Sequence, residues 1–74
     1  MLDKIQTAFS EVFGVDSSLV NTDTTINNLK EWDSLKHLQM IMKLEANFST
    51  KFEMGEIAQM DSVQKIIEVL ESKA

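Results

Sequence analysis

The hydroxyl of Ser34 is the side chain in this sequence best placed for group-transfer chemistry. It follows Asp33, a residue favoured at helix N-caps, and it stands where a long polar segment gives way to an amphipathic helix. The first amides of a helix lack intrahelical partners, so a phosphodiester formed on Ser34 would lie in a favourable field. The pattern indicates an exposed serine that another protein can modify, although the same pair also occurs as plain helix capping.

Few other residues could do chemistry. The sequence has no cysteine, a single histidine at position 37, and no glycine-rich phosphate loop or metal-spaced cluster. One imidazole cannot form a catalytic or metal site alone, and His37 is expected to pack at the boundary of the core. We therefore expect neither an enzyme nor a bound metal, and any thiol must arrive on an added group.

The composition fits one small folded domain covering residues 1–74. The 74 residues are 43% hydrophobic and include two glycines and no proline, which suits a single core but not two. The formal net charge of −5, with cations scattered singly, disfavours binding to nucleic acid. No segment reads as a signal peptide or membrane span, so we expect a cytoplasmic monomer whose partners are proteins.

The spacing of apolar residues predicts an all-α, four-helix bundle of three longer helices and a short third one. The first helix runs from Leu2 to Phe13 and stops at Gly14. The second is capped by Asp33, the short third lies between residues 49 and 60, and the fourth opens with a capping box at Asp61 and Gln64. The predicted core face of the second helix is Leu35, Leu38, Ile41, Met42, Leu44 and Phe48. Its predicted wet face is Lys36, Gln39, Lys43 and Asn47.

A long loop is expected between the first two helices. From Val15 to Asp33 the helical spacing is lost, and many Ser, Thr, Asn and Asp side chains compete for backbone hydrogen bonds. In a bundle such a crossover lets the second helix run along the first. The residues expected to anchor this loop to the core are Val15, Leu19, Val20, Ile26 and Leu29.

The segment Asp33-Ser34-Leu35 resembles the D-S-L attachment motif of acyl carrier proteins, in which the serine receives phosphopantetheine. The likeness covers essentially the whole chain, since the pair Leu44-Glu45, Phe48 and the opening Asp61-Ser62-Val63-Gln64 also match the family. The resemblance implies that Ser34 carries 4'-phosphopantetheine, with Asp33 and Leu35 beside it. A phosphopantetheinyl transferase would add this arm from coenzyme A, and an acyl ligase or acyltransferase would load it with an acyl thioester.

The resemblance also implies two further sets of residues. Partner enzymes are expected to recognise Trp32, Asp33, Leu35, Met42 and Glu45. An acyl chain is expected to contact Phe48, Phe52, Ile57, Met60 and Ile66, each of which could instead be ordinary core. Trp32 could likewise serve as a large anchor that packs the loop against the second helix.

The sequence departs from the carriers of fatty acid synthesis, which usually present acidic residues on the second and third helices. Asp33 and Glu45 fit that pattern, but the other recognition-type positions are Lys36, Gln39, Ala46, Met54 and Ala58. A basic partner would meet a like charge at Lys36. The W-D-S sequence at 32–34 resembles specialised members, so we expect a specialised carrier rather than the housekeeping one.

Two alternative functions fit the same residues. The first is a D-alanyl, aminoacyl or peptidyl carrier; Asp33 favours an acyl or D-alanyl cargo, because many peptidyl carriers have histidine at that position. The second is an unmodified helical adaptor that binds a partner helix through Met40, Met42 and Met54. Covalent modification of Ser34 separates the adaptor from both kinds of carrier.

Overall fold

Four α-helices make up most of the computed structural model, which describes residues 1–73. They are α1 (Leu2–Phe13), α2 (Ser34–Phe48), α3 (Met54–Gln59) and α4 (Val63–Lys73), with a 3-10 helix at Ser17–Leu19. The predicted all-α bundle, with its long first loop and short third helix, is confirmed. Within residues 1–73, no helix combines the length and hydrophobicity needed to cross a membrane.

Helix α1 is amphipathic and ends at Gly14, as its spacing predicts. Gly14 has φ 71°, in the left-handed region that glycine adopts without strain, and its amide donates to the Ser10 carbonyl at 3.0 Å. The Nζ of Lys36 reaches the same end of the helix and donates to the Val12 carbonyl at 3.1 Å. Both contacts satisfy carbonyl groups that a helix end leaves open.

The core is built around Phe9, which is fully buried. Its ring meets Phe13 and Trp32 with centroids 5.0 Å apart in both pairs, and both contacts are edge-to-face. This geometry suits the quadrupoles of aromatic rings. The other buried hydrophobic residues are Ile5, Ala8, Val20, Met40, Ile41, Leu44, Phe52, Met60, Val63, Ile66 and Leu70.

Helix α2 turns a different face to the core from the one that its spacing predicts. Its buried residues are Met40, Ile41 and Leu44. The residues predicted to be core but found mostly exposed are Leu35, Leu38 and Met42, at 65%, 54% and 68%. The prediction was wrong for these three, and the burial of Met40 also removes it from the methionine surface of the adaptor hypothesis.

Two lysines explain this rotation of α2. Lys36 and Lys43 were predicted to face solvent, but both are only partly exposed and lie toward α1. Lys36 bonds the Val12 carbonyl, and the Nζ of Lys43 lies 3.2 Å from a carboxylate oxygen of Glu11. Lysine stems can cover apolar surface while their charged ends reach polar groups. The lysine side of α2 therefore packs near α1, and part of its apolar side faces outward.

The long loop is fastened mainly through its backbone. The Ile26 amide donates to the Asp61 carbonyl and the Val63 amide donates to the Thr24 carbonyl, both at 2.9 Å. Val20 is fully buried, and its carbonyl accepts from the Gln6 amide group at 2.7 Å. These bonds tie the loop to α1 and to the junction between α3 and α4.

One predicted anchor of the loop was wrong. Leu19 is 65% exposed, because it ends the 3-10 helix and Val20 takes the buried position after it. That turn is capped by Asp16, which accepts hydrogen bonds from the amide and hydroxyl of Ser18 at 2.9 Å. The bond from the Ser18 amide is the main reason that the pKa of Asp16 is lowered.

Helix α4 is capped by Ser62 and not, as predicted, by Asp61. The hydroxyl of Ser62 accepts from the Lys65 amide at 3.1 Å, which is the usual N-cap geometry. The backbone carbonyl of Asp61 instead accepts the bond from Ile26. The capping-box prediction therefore misplaced the cap by one residue.

Candidate functional site

Ser34 is the first residue of α2, and it is exposed. Asp33 before it is extended, with φ −114° and ψ −178°, and its carboxylate accepts from the Lys36 amide at 2.8 Å. The predicted aspartate cap is therefore present, and such a cap is typically worth about 1 kcal/mol. The Ser34 hydroxyl lies at the positive end of the helix dipole, where a phosphate group is stabilised.

Trp32 fixes the chain that leads into this site. It is 3% exposed, its ring contacts Phe9 and Phe13, and its Nε1 donates to Nδ1 of His37 at 2.9 Å. Trp32 is thus the anchor that holds the end of the loop. Its expected role in partner recognition is corrected, because a side chain buried among α1 residues does not reach a partner's surface.

A groove of about 470 Å³ opens beside Ser34. One wall comes from α2, another from α3, and the loop closes one end. The lining residues are Ile26, Ser34, His37, Leu38, Met54, Ile57, Ala58 and Asp61. Because most of these side chains are apolar and Ser34 stands at the edge, the groove can shelter an apolar group that is attached to Ser34.

Of the five residues predicted to contact an acyl chain, Ile57 lines this groove. Phe52, Met60 and Ile66 are buried core residues, and Phe48 is half-buried with the Lys4 ammonium 5.3 Å from its ring centroid. These four do not line the groove beside Ser34, since they fill or flank the bundle interior. Apart from Ser34, the groove residues outside the predicted acyl contacts are Ile26, His37, Leu38, Met54, Ala58 and Asp61; the chain order of loop, α2 and α3 was the available signal.

Two of the residues predicted to meet partners are well placed for it. Leu35 and Met42 are both mostly exposed, and with Leu38 between them they follow helical spacing along one side of α2. Their recognition of partners stays a prediction. Glu45 is half-buried, and its carboxylate accepts from the Phe52 amide at 2.9 Å, so it also fixes the connection between α2 and α3.

The surface next to Ser34 is apolar and carries little free charge. Met54 of α3 is 86% exposed and Ala58 is exposed, which places two uncharged residues across the groove from Leu38. Lys36, expected on this surface, bonds α1 instead. The absence of an acidic stripe, which the sequence indicates, is therefore a property of this face. The like charge that a basic partner was expected to meet at Lys36 is not on this face, because the Lys36 ammonium bonds α1.

The charged groups of α3 are occupied within the molecule. The Glu53 side chain accepts from the Glu56 amide, and the Glu53 amide donates to Glu56 in return, which completes a capping box. A Glu56 oxygen also lies 2.8 Å from Nζ of Lys73. The hydrogen bond to Lys73, followed by that from Glu53, lowers the pKa of Glu56, so this carboxylate keeps its charge to a lower pH than an unpaired glutamate.

The described site presents a hydroxyl whose neighbouring imidazole is already bonded through both nitrogens. His37 lines the same groove, yet Nδ1 accepts from Trp32 and Nε2 bonds the Ile57 carbonyl at 2.9 Å. Within residues 1–73, no group of three or more His, Asp or Glu residues is arranged to hold a metal ion. The arrangement suits a serine that is modified by another enzyme.

Comparisons with known proteins agree with this geometry. Residues 3–70 match the family described as phosphopantetheine attachment site. An acyl carrier protein of Guillardia theta is 29% identical over 73 residues, which cover 99% of this chain and 90% of the relative. The solution NMR structure of a holo acyl carrier protein from Geobacter metallireducens matches with a TM-score of 0.85 and 32% identity, covering 97% of this chain and 83% of that one.

Proposed function

Because the chain belongs to the acyl carrier protein family, whose prosthetic group is 4'-phosphopantetheine, we propose that it is a non-catalytic carrier domain spanning residues 1–74, with the arm on Ser34. The observation that carries this assignment is the exposed Ser34 hydroxyl at the N-terminus of α2, at the edge of an apolar groove. A buried serine, or one away from a helix start, would not meet these requirements.

Attachment requires a partner enzyme. In the proposed step, Ser34 Oγ forms a bond to the β-phosphorus of coenzyme A, the pyrophosphate linkage breaks, and adenosine 3',5'-bisphosphate leaves. The hydroxyl proton passes to a base of the transferase, since both ring nitrogens of His37 are already bonded. Asp33 holds the first turn of α2 in place through the Lys36 amide, so the hydroxyl is presented in a fixed position.

The carrier acts by tethering and shelter. When bound, the arm supplies the thiol that this cysteine-free sequence lacks, and that thiol holds the acyl group as a thioester. A flexible tether raises the effective concentration of the cargo at each partner's active site. Between visits, the groove lined by Leu38, Met54 and Ile57 gives the apolar part of the cargo a surface outside water.

We further propose that the partners of this specialised carrier meet it through apolar contacts. A transferase or ligase that reaches Ser34 must cover the adjoining face, on which Leu35, Leu38, Met42 and Met54 are all more than half exposed. Three nearby carboxylates, those of Asp33, Glu45 and Glu56, bond groups of this chain, and Asp61 is the carboxylate that lines the groove among mostly apolar residues. A complementary apolar surface therefore fits this face better than the basic patch that suits an acidic carrier.

Replacing Leu35 with alanine is expected to lower kcat/KM for arm attachment by about five- to tenfold, as for a residue at the centre of an interface. The matched control is Leu19→Ala, because both leucines are 65% exposed but Leu19 lies in the 3-10 helix of the loop. Initial rates with a broad-specificity transferase give the comparison. Equal rates for both variants would argue against an apolar docking face around Ser34.

Two loading steps test the carrier function itself. Incubation with coenzyme A and a broad-specificity transferase should add the mass of one arm, and a ligase with a fatty acid should then add one acyl group that neutral hydroxylamine removes. Acceptance of D-alanine or another amino acid in place of the fatty acid would support the aminoacyl alternative. No added mass, while a control carrier is modified in the same mixture, would favour the unmodified adaptor.

A further inference from the structure

His37 joins three parts of the molecule through its two ring nitrogens. Nδ1 accepts from the Trp32 indole at the end of the loop, and Nε2 lies 2.9 Å from the Ile57 carbonyl in α3. The imidazole also stacks on the indole, with centroids 5.9 Å apart and planes 20° apart. An indole N–H only donates and a carbonyl only accepts, so these partners require a neutral ring with its proton on Nε2.

Helix α3 depends on such contacts because it buries no residue of its own. Phe52 and Met60, which flank it, are buried, and Ile57 is only partly so. Besides its backbone, α3 is held by the ion pair between Glu56 and Lys73 on one side and by the bond from His37 on the other. Losing the His37 bond would leave the side of α3 that faces α2 without a polar tie.

That side of α3 is also a wall of the groove. Met54, Ile57 and Ala58 lie on it, and Ser34, His37 and Leu38 lie opposite on α2. The bond from His37 to the Ile57 carbonyl therefore joins the two walls close to Ser34.

We propose that His37 is a positioning residue that holds α3 against α2, and that it does so only while its ring is neutral. Protonation of Nδ1 would set an N–H against the Trp32 indole N–H, so that two donors face each other without an acceptor. The ring and the indole must then move apart, and a turn of the ring displaces Nε2 from the Ile57 carbonyl. The groove beside Ser34 thus keeps its observed width while the ring is neutral and loosens when the ring is protonated.

Most of the charged groups near His37 are bonded to other parts of the chain. Asp33 caps α2, Lys36 bonds α1, and the lowered pKa of Glu56 keeps its pair with Lys73 ionised. Asp61 also lines the groove with His37, so its carboxylate is the one that a control variant has to remove. From α1, the residues packed near Trp32 are the uncharged Phe9 and Phe13.

The effect on a carried acyl group rests on the proposed function, but the contact itself can be tested on the unmodified full chain. Long-range 1H–15N NMR spectra should show the Nε2–H tautomer near pH 8 and identify an acidic pH at which the ring is charged. Over the same range, protection factors of α3 amides such as Ala58 and Gln59 should fall about tenfold relative to those of α4. The same result in Ser34→Ala would separate this proposal from arm attachment.

Three variants sharpen the test. His37→Phe should leave α3 weakly protected at both pH values. Trp32→Phe removes the opposing N–H together with part of the buried indole, so α3 should lose less protection between pH 8 and acid than it does in the wild type. Asp61→Asn should keep the wild-type pH dependence. An Nδ1–H tautomer at neutral pH, or a charged ring with α3 fully protected, would each overturn the proposal, even if a variant failed to fold.

Discussion

Alanine at position 34 is expected to abolish attachment of the arm completely. The substitution removes the one oxygen that the proposed step bonds to phosphorus, and it leaves the fold intact because the side chain is exposed and Asp33 still caps α2 through the Lys36 amide. After incubation with coenzyme A and a broad-specificity transferase, intact mass should show full conversion of the wild type and none of Ser34→Ala. Circular dichroism should show equal helix content in both proteins.

The sequence offers a matched control for this experiment. Ser17 also follows a capping aspartate directly and is also exposed, but it opens a three-residue 3-10 helix rather than a long α-helix. Ser17→Ala is therefore expected to be modified at the wild-type rate. If Ser34→Ala still gained one arm, or if Ser17→Ala lost it, the assignment of the attachment site would have to move.

Replacing Phe9 with alanine is expected to have the largest effect on stability, a loss of about 3 to 5 kcal/mol. Phe9 is fully buried and contacts both Phe13 and Trp32 edge to face, so its removal leaves a cavity and breaks two aromatic contacts. A domain of 74 residues has roughly 4 to 11 kcal/mol in total. Urea denaturation followed by circular dichroism would measure the change.

The functional consequence of Phe9→Ala should follow its effect on Trp32. Because Trp32 anchors the residues that lead into Asp33 and Ser34, a loosened core should also slow arm attachment. For stability, the control is Met54→Ala. Met54 is 86% exposed, so this variant should alter the free energy of unfolding by no more than about 0.5 kcal/mol. A midpoint for Phe9→Ala close to that of Met54→Ala would show that the aromatic cluster does not carry the core.

Much of the frame follows from local rules in the sequence. Gly14 ends α1 because a left-handed residue is needed there, and Asp33 begins α2 because its carboxylate can reach an amide of the first turn. Both signals depend on residues within four positions of each other. The location of Ser34 on an exposed helix start, and hence the candidate attachment site, could be read from such signals together with the family resemblance.

The orientation of α2 could not be read in the same way. Its apolar residues cover more than half of its circumference, so spacing alone leaves open which part is buried. The choice depends on α1, where Glu11 and the Val12 carbonyl accept the charged ends of Lys43 and Lys36. Met40 lies on the buried side of α2 with Ile41 and Leu44, and Met42 lies on the exposed side with Leu35 and Leu38. Both sets follow helical spacing, so the sequence of α2 alone does not choose between them.

The groove beside Ser34 could not be read from the sequence for a related reason, and contact of an acyl chain with the five predicted residues stays a prediction. Large apolar residues such as Phe52, Met60 and Ile66 were natural candidates for a lining, but large residues are also the ones that fill an interior first. The actual lining includes Ala58 and Asp61, whose small or polar side chains carry no pocket signal in the sequence. The bonds of His37 were missed too, because they join residues 5 and 20 positions away along the chain.

The backbone bonds of the loop divide the molecule into a frame and an insert. Ile26 to Asp61 and Val63 to Thr24 join the crossover to the start of α4 without using side chains, and the buried Phe52 and Met60 pin the chain on either side of α3. The six residues of α3 could thus be exchanged for those of another carrier, provided that the replacement keeps an acidic partner for Lys73. On the proposed function, grafting this one segment is a direct test of whether α3 sets which cargo lengths the molecule accommodates.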